Sequence, residues 1–160
     1  MNKVKGTRYP GHLVPVLTRL WDGKELNGIE EKFVNHPRIK IEIANALAQI
    51  ERNGFKGLDK GAYSRYAKGL VLSEDPDVAL QAALVLGIAG TVDDLPILES
   101  IALQGDSNRY RAAIIAIAEN CATAAPFIDN LEKNLKEQWR KEFLRKTWEE
   151  FQSFRVCERR

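Results

Sequence analysis

The residues able to do chemistry are few, and their spacing does not suit it. His12 and His36 are the only histidines, and neither sits in HExxH or another metal-ligand spacing. His36 directly precedes Pro37, which suits a turn or helix-capping role. Cys121 and Cys157 make no CxxC pair and no disulfide framework. Cys121, at the end of an apolar helix, reads as a small buried hydrophobe, and pairing of the two is not expected in a reducing compartment. Glu30-Glu31 and Asp93-Asp94 are adjacent carboxylates, but neighbours along a helix point in different directions, so neither is a ready-made acid/base pair. There is no GxxxxGK[ST], no GxGxxG after a strand and no GxSxG. The expectation is a non-enzyme with no catalytic residue, no metal, no cofactor and no small-molecule substrate.

Charge is the more informative chemistry. The net charge of +2 is too small to imply nucleic acid by itself, but it hides a strong asymmetry. Residues 1–72 carry 13 basic and 7 acidic side chains, and residues 133–160 carry 9 and 5. Between Ser73 and Asn108 there is no Lys or Arg, only seven acids: Glu74, Asp75, Asp77, Asp93, Asp94, Glu99 and Asp106. Most of these lie at expected helix ends or turns. Capping and the helix dipole explain acids at helix starts. They do not explain the missing cations. An acidic ridge that meets a basic partner is therefore expected at these seven residues.

The elements that must position those acids are all helical. His12 to Trp21 reads as a short helix with Pro15 in its first turn, stopped by Asp22-Gly23. A second short helix around Ile29, Phe33 and Val34 ends before Pro37. Pro37 stands 39 residues before Pro76, and Ala44 and Leu47 match Ala83 and Leu86 at the same offset. Asp75 and Pro76 start a helix whose Ala79–Ala89 segment is apolar on nearly every face except Gln81, so it must be buried all round. Gly90-Thr91 turns the chain, and Asp93 or Asp94 starts a partner helix with Pro96 in its first turn. The pattern then recurs. Ala82–Gly87 overlies Ala113–Ala118 at a shift of 31 residues, and Pro126 follows Pro96 by 30. Self-similarity at that period indicates stacked helical hairpins. Lys136 to Arg160 differs: Trp139, Phe143, Leu144, Trp148, Phe151 and Phe154 form an aromatic stripe on a charged helix, which reads as a cap. No alternating strand signal competes.

The order Asp75-Pro76-x-Val78, then Ala82-Ala83, Leu86-Gly87, Asp93-Asp94 and Leu98 resembles a HEAT-like repeat of the short bacterial type. The likeness is strong over 75–104, fair over 106–135 and weak over 36–72. It implies an all-α, right-handed α-solenoid of about three hairpins (36–74, 75–105 and 106–135). Short N-terminal helices would lie within 1–35 and a long capping helix within 136–160, all in one domain. It also implies a binding surface, while leaving the function to be argued from the site. No stretch is long and apolar enough to span a membrane, and the apolar segment from Leu13 to Leu17 is too short for a secretion signal, so a cytoplasmic location is expected.

Three functions fit. The preferred one is a protein-binding module, a bacterial immunity protein whose acidic middle neutralises a basic nuclease-type toxin. Nucleases must be basic to hold phosphates, and complementary charge speeds such encounters. A HEAT-like nucleic-acid-binding or DNA-repair protein would instead use Lys136, Arg140, Lys141, Arg145 and Lys146 with the basic first third, though the acidic centre speaks against nucleic acid as the partner. A scaffold or adaptor would present the C-terminal aromatic stripe as its interface.

Overall fold

The computed structural model describes residues 11–24, 28 and 30–153. The arm expected over residues 1–10, together with Ile29, Phe154 and Cys157, lies outside them. Among the described residues there are nine α-helices and no strand: α1 (Val14–Trp21), α2 (Glu31–Val34), α3 (Pro37–Arg52), α4 (Lys60–Lys68), α5 (Pro76–Ala89), α6 (Leu95–Gln104), α7 (Ser107–Ala118), α8 (Ala125–Asn134) and α9 (Gln138–Ser153).

Four of these nine helices, α3, α4, α5 and α7, start where a polar side chain satisfies free N–H groups of a first turn. His36 Nδ1 accepts from the Arg38 amide at 3.3 Å before α3. Asp59 accepts from Ala62 before α4. Asp75 accepts from Asp77 and Val78 before α5, and Asp106 from Asn108 and Arg109 before α7. Proline occupies the first turn of α1, α3, α5, α6 and α8, where its missing N–H loses nothing. The start of α6 differs from expectation. Val92–Asp94 form a 3₁₀ turn, and the Asp94 carboxylate turns back to accept from the Thr91 amide at 2.8 Å rather than capping α6.

The apolar helix α5 sits at the centre, closely flanked by α3, α4 and α7. Leu47 of α3, Leu86 of α5 and Ile114 and Ile117 of α7 are fully buried in one core, which continues through Leu98 and Leu131 to Leu144 of α9. α5 and α7 approach almost backbone to backbone. A Cβ built on Gly87 would lie 2.5 Å from Ala116 Cα.

The helix pairing differs from the expected hairpins. α6 makes its close backbone approaches to α7 and α8 and hardly any to α5, the helix just before it in the chain. Likewise α4 lies more closely against α5 than against α3. Only Gly105 and Asp106 separate α6 from α7, so that connection makes the tighter hairpin.

Cys121 also departs from expectation. It is half-buried, adopts the left-handed region at φ 57°, and is disulfide-bonded.

Gly87 and Gly61 make a matched test of the α5–α7 contact. In a helix, Gly→Ala ordinarily stabilises by up to about 1 kcal/mol. At Gly61 the new methyl would meet the tip of the Arg65 side chain at 3.3 Å and Asp59 Oδ1 at an ordinary 3.5 Å, no backbone, and that gain is expected. At Gly87 it meets backbone, and Gly87→Ala is expected to destabilise by about 2 kcal/mol. Urea unfolding of both variants checks the opposite signs.

Candidate functional site

The seven acids do not form one ridge. α5 has 14 residues and spans about 20 Å. Glu74, Asp75 and Asp77 lie at its start, whereas Asp93 and Asp94 lie beyond its end. The chain then returns: the Arg109 guanidinium donates to the Ser73 carbonyl, which brings Asp106 and the start of α7 beside the start of α5. Glu99 stands midway along α6. An edge made by the starts of α3, α5 and α7 thus carries four acids, and the opposite edge carries two.

The cations missing from 73–108 are supplied by other segments. Arg38 of α3 places Nη2 3.0 Å from Asp75 Oδ2 and 3.2 Å from Asp77 Oδ2, and its Nε lies 3.2 Å from Asp75 Oδ2. Lys68 Nζ lies 2.6 Å from Asp94 Oδ1. Asp94 is only 2% exposed, so that carboxylate is an internal strut and not part of a docking surface. Arg109 Nε is 3.8 Å from Asp106 Oδ2. Glu74, Asp93 and Glu99 have no ion pair among the described residues.

What remains centres on α6. Its outer surface combines Asp93 and Glu99 with two exposed apolar side chains, Val92 at 49% and Leu103 at 42%. Pro96 and Ser100 are exposed between them, and no Lys or Arg occurs on the helix. Apolar area edged by charge of one sign is the make-up of a protein interface. In the sequence, Val92 and Leu103 read simply as members of an apolar run. Arg38 was detectable in principle: the 39-residue offset that aligns Pro37 with Pro76 sets the first turn of α3 beside that of α5. Lys68 left no such signal.

The other sequence candidates have structural employment. His36 caps α3. Of the basic set on the last segment, Arg140 donates to the Gly105 carbonyl and pairs with Glu137 at 3.0 Å, and Arg145 faces Glu132 at 3.4 Å. Lys136 and Lys146 are exposed, and Lys141 is half-buried. The aromatic stripe is mostly a cap: Leu144 is buried, and Phe143 and Trp148 pack on the core, while Trp139 is 36% exposed. Trp21 is held at the other end of the chain by edge-on contacts with Tyr63 and Tyr66, and Lys40 lies 4.7 Å from its ring centroid.

A groove of about 390 Å³ runs between α1 and α3, lined by Leu17, Ile39, Ile43 and Ala46. Its charged members are Arg38, already committed to two aspartates, and Glu42. Among the described residues no three His, Cys, Asp or Glu side chains gather as a metal site, and no helix is long and apolar enough to cross a membrane.

Burial pushes the Tyr110 hydroxyl far above its ordinary value, with the Arg140 charge pulling the other way. For Asp75, partial desolvation pushes the carboxyl up. The Arg38 hydrogen bonds, the Asp77 and Val78 amides and the Arg38 charge outweigh it, so the folded value lies below the ordinary 3.8.

Comparison with protein-family models finds no match, and neither curated proteins nor solved structures show significant similarity to this chain. The chain's own residues therefore carry the functional argument.

Two outcomes follow from the ion pairs. Lys68→Ala leaves the buried Asp94 carboxylate without its cation. A loss of about 1–2 kcal/mol is expected, against under about 0.5 kcal/mol for Lys32→Ala, whose pair with Glu30 is fully solvated. A depressed Asp75 value means that its contribution to stability is present above about pH 4 and is lost as pH falls through the folded value. Arg38→Ala should shrink that shift, so the stability gap between wild type and Arg38→Ala narrows as pH drops from about 5 toward 2. Denaturation curves across that range would show the narrowing.

Proposed function

We propose that this chain is a non-enzymatic protein-binding module, a right-handed α-solenoid of short HEAT-like repeats. In this reading it serves as a bacterial immunity protein that holds a basic, nuclease-type toxin. Repeated tertiary contacts support the solenoid. Arg109 of α7 donates to the Ser73 carbonyl ahead of α5, and Arg140 of α9 donates to the Gly105 carbonyl ahead of α7. The donors are 31 residues apart and the acceptors 32. Equivalent bonds at the period of the sequence repeat are what stacked, similar units produce.

The observation that carries the function is the α6 surface, where Asp93 and Glu99 stand without cations beside exposed Val92 and Leu103. This narrows the contact from the seven acids to two of them and adds an apolar component. Glu74 stands apart near the start of α5. Asp75, Asp77, Asp94 and Asp106 serve the fold through caps and ion pairs. A nuclease domain offers the matching chemistry, since its phosphate-binding surface is rich in Lys and Arg. Covering that surface blocks substrate without any reaction by the inhibitor.

The test is binding to a basic nuclease domain, such as a toxin-like neighbouring reading frame would encode. Asp93→Lys/Glu99→Lys is expected to weaken that complex at least about tenfold, chiefly by slowing association and most at low salt. The thermal melt should fall only modestly, by about 1 kcal/mol of stability or less, because Asp93 lies in the turn that opens α6, which favours negative charge, while neither carboxylate has an ion pair among the described residues. Undiminished binding by the double variant would remove α6 as the contact.

A further inference from the structure

A second surface, opposite in sign, lies where α7 meets α9. The Arg111 guanidinium sits 5.6 Å from the Trp139 ring centroid and 5.9 Å from that of Phe143. Arg111 is exposed, and no carboxylate pairs with it among the described residues. The carboxylate closest in sequence to Trp139, Glu137, is occupied: it accepts from Trp139 Nε1 at 2.7 Å and from Arg140 Nε at 3.0 Å.

Trp139 is held in place from several sides. Its ring meets Tyr110 edge-on at 5.4 Å, and Arg140 lies 5.0 Å from its centroid. Tyr110 is itself fully buried and donates to the Arg140 carbonyl. An exposed tryptophan fixed in this way loses little freedom when something docks on it. Trp, Tyr and Arg are also the residues that dominate binding hot spots. A guanidinium held over a ring by its face keeps N–H donors for a two-pronged bond to a carboxylate.

We propose that Arg111, Trp139 and Phe143 form a docking surface for an acidic protein segment, with an Asp or Glu carboxylate on Arg111 and an apolar neighbour against Trp139. A phosphate backbone fits less well. It calls for a track of cations, whereas two other guanidiniums, both of α9, are already paired, Arg140 with Glu137 and Arg145 with Glu132. The surface lies on α7 and α9, and its case does not depend on the toxin reading.

The experiment titrates the ¹⁵N-labelled full chain with a hexapeptide of alternating glutamate and leucine, following the Trp139 indole N–H, which Trp139→Phe assigns. A saturable shift is expected, weakened about tenfold in Arg111→Gln and less in Arg111→Lys, which keeps the charge but loses the planar fork. A single-stranded DNA 12-mer is run in parallel at the same salt. The proposal is overturned if the peptide leaves the indole unmoved, if Arg111→Gln binds it as well as wild type, or if the DNA shifts the same indole at lower concentration than the peptide.

Discussion

A helix whose only polar residue beyond its first turn is Gln81 must bury most of its surface, and α5 does so, leaving Leu80, Gln81, Leu84 and Ile88 half-buried. Burying it needs close neighbours on several sides, and α3, α4 and α7 provide them. The tightest approach, at Gly87 and Ala116, is possible only because the residues there are so small. Dispersion contacts between backbones are individually weak, but they are dense at that distance and tolerate no added atom. Much else follows from enclosing α5. Its charged residues are confined to its first turn and the preceding loop, where Asp75 caps the helix and Asp77 meets Arg38. The flanking helices inherit the task of presenting a surface to solvent.

Electrostatics in this chain divides into charges that hold the fold and charges left to act outward. Arg38 fastens the start of α3 to that of α5, and Lys68 anchors the turn into α6. At the opposite end of the stack from Arg38, Arg52 reaches past α5 to Glu119 at 2.8 Å, tying α3 to the end of α7. Once these pairs are made, the strong negative centre of the sequence is largely answered internally. Within that centre three carboxylates keep no cation among the described residues, two on the α6 surface and Glu74 ahead of α5, while on α7 a guanidinium lies beside an exposed tryptophan. Their signs differ, so the net charge of the chain says little about what either surface meets.

The helices themselves were legible. Asp75 with Pro76, His36 with Pro37, and Asp106 ahead of Ser107 each mark a start that depends only on residues two or three apart. That α5 is largely buried was equally plain from its apolar residues, but Leu80, Gln81, Leu84 and Ile88 stay half-buried, so it is not enclosed all round as expected. The acidic ridge was not recoverable by the same reasoning. It assumed that all the turns line one edge, whereas the turn after α5 lies about 20 Å from the turn before it. It also assumed that compensating cations must be near in sequence. Arg38 is 37 residues from Asp75, and Lys68 is 26 from Asp94, yet both are in contact.

The sequence by itself determined where helices begin, which of them must be buried and that the pattern repeats, since each rests on local sterics, hydrogen bonding or periodicity. Only the tertiary structure decided which helices are neighbours. It set α6 against α7 instead of α5, and so settled which charges are cancelled and which face outward. Such choices depend on how whole helix surfaces fit together, on contacts as distant in sequence as Arg38 with Asp75, and no local spacing records them.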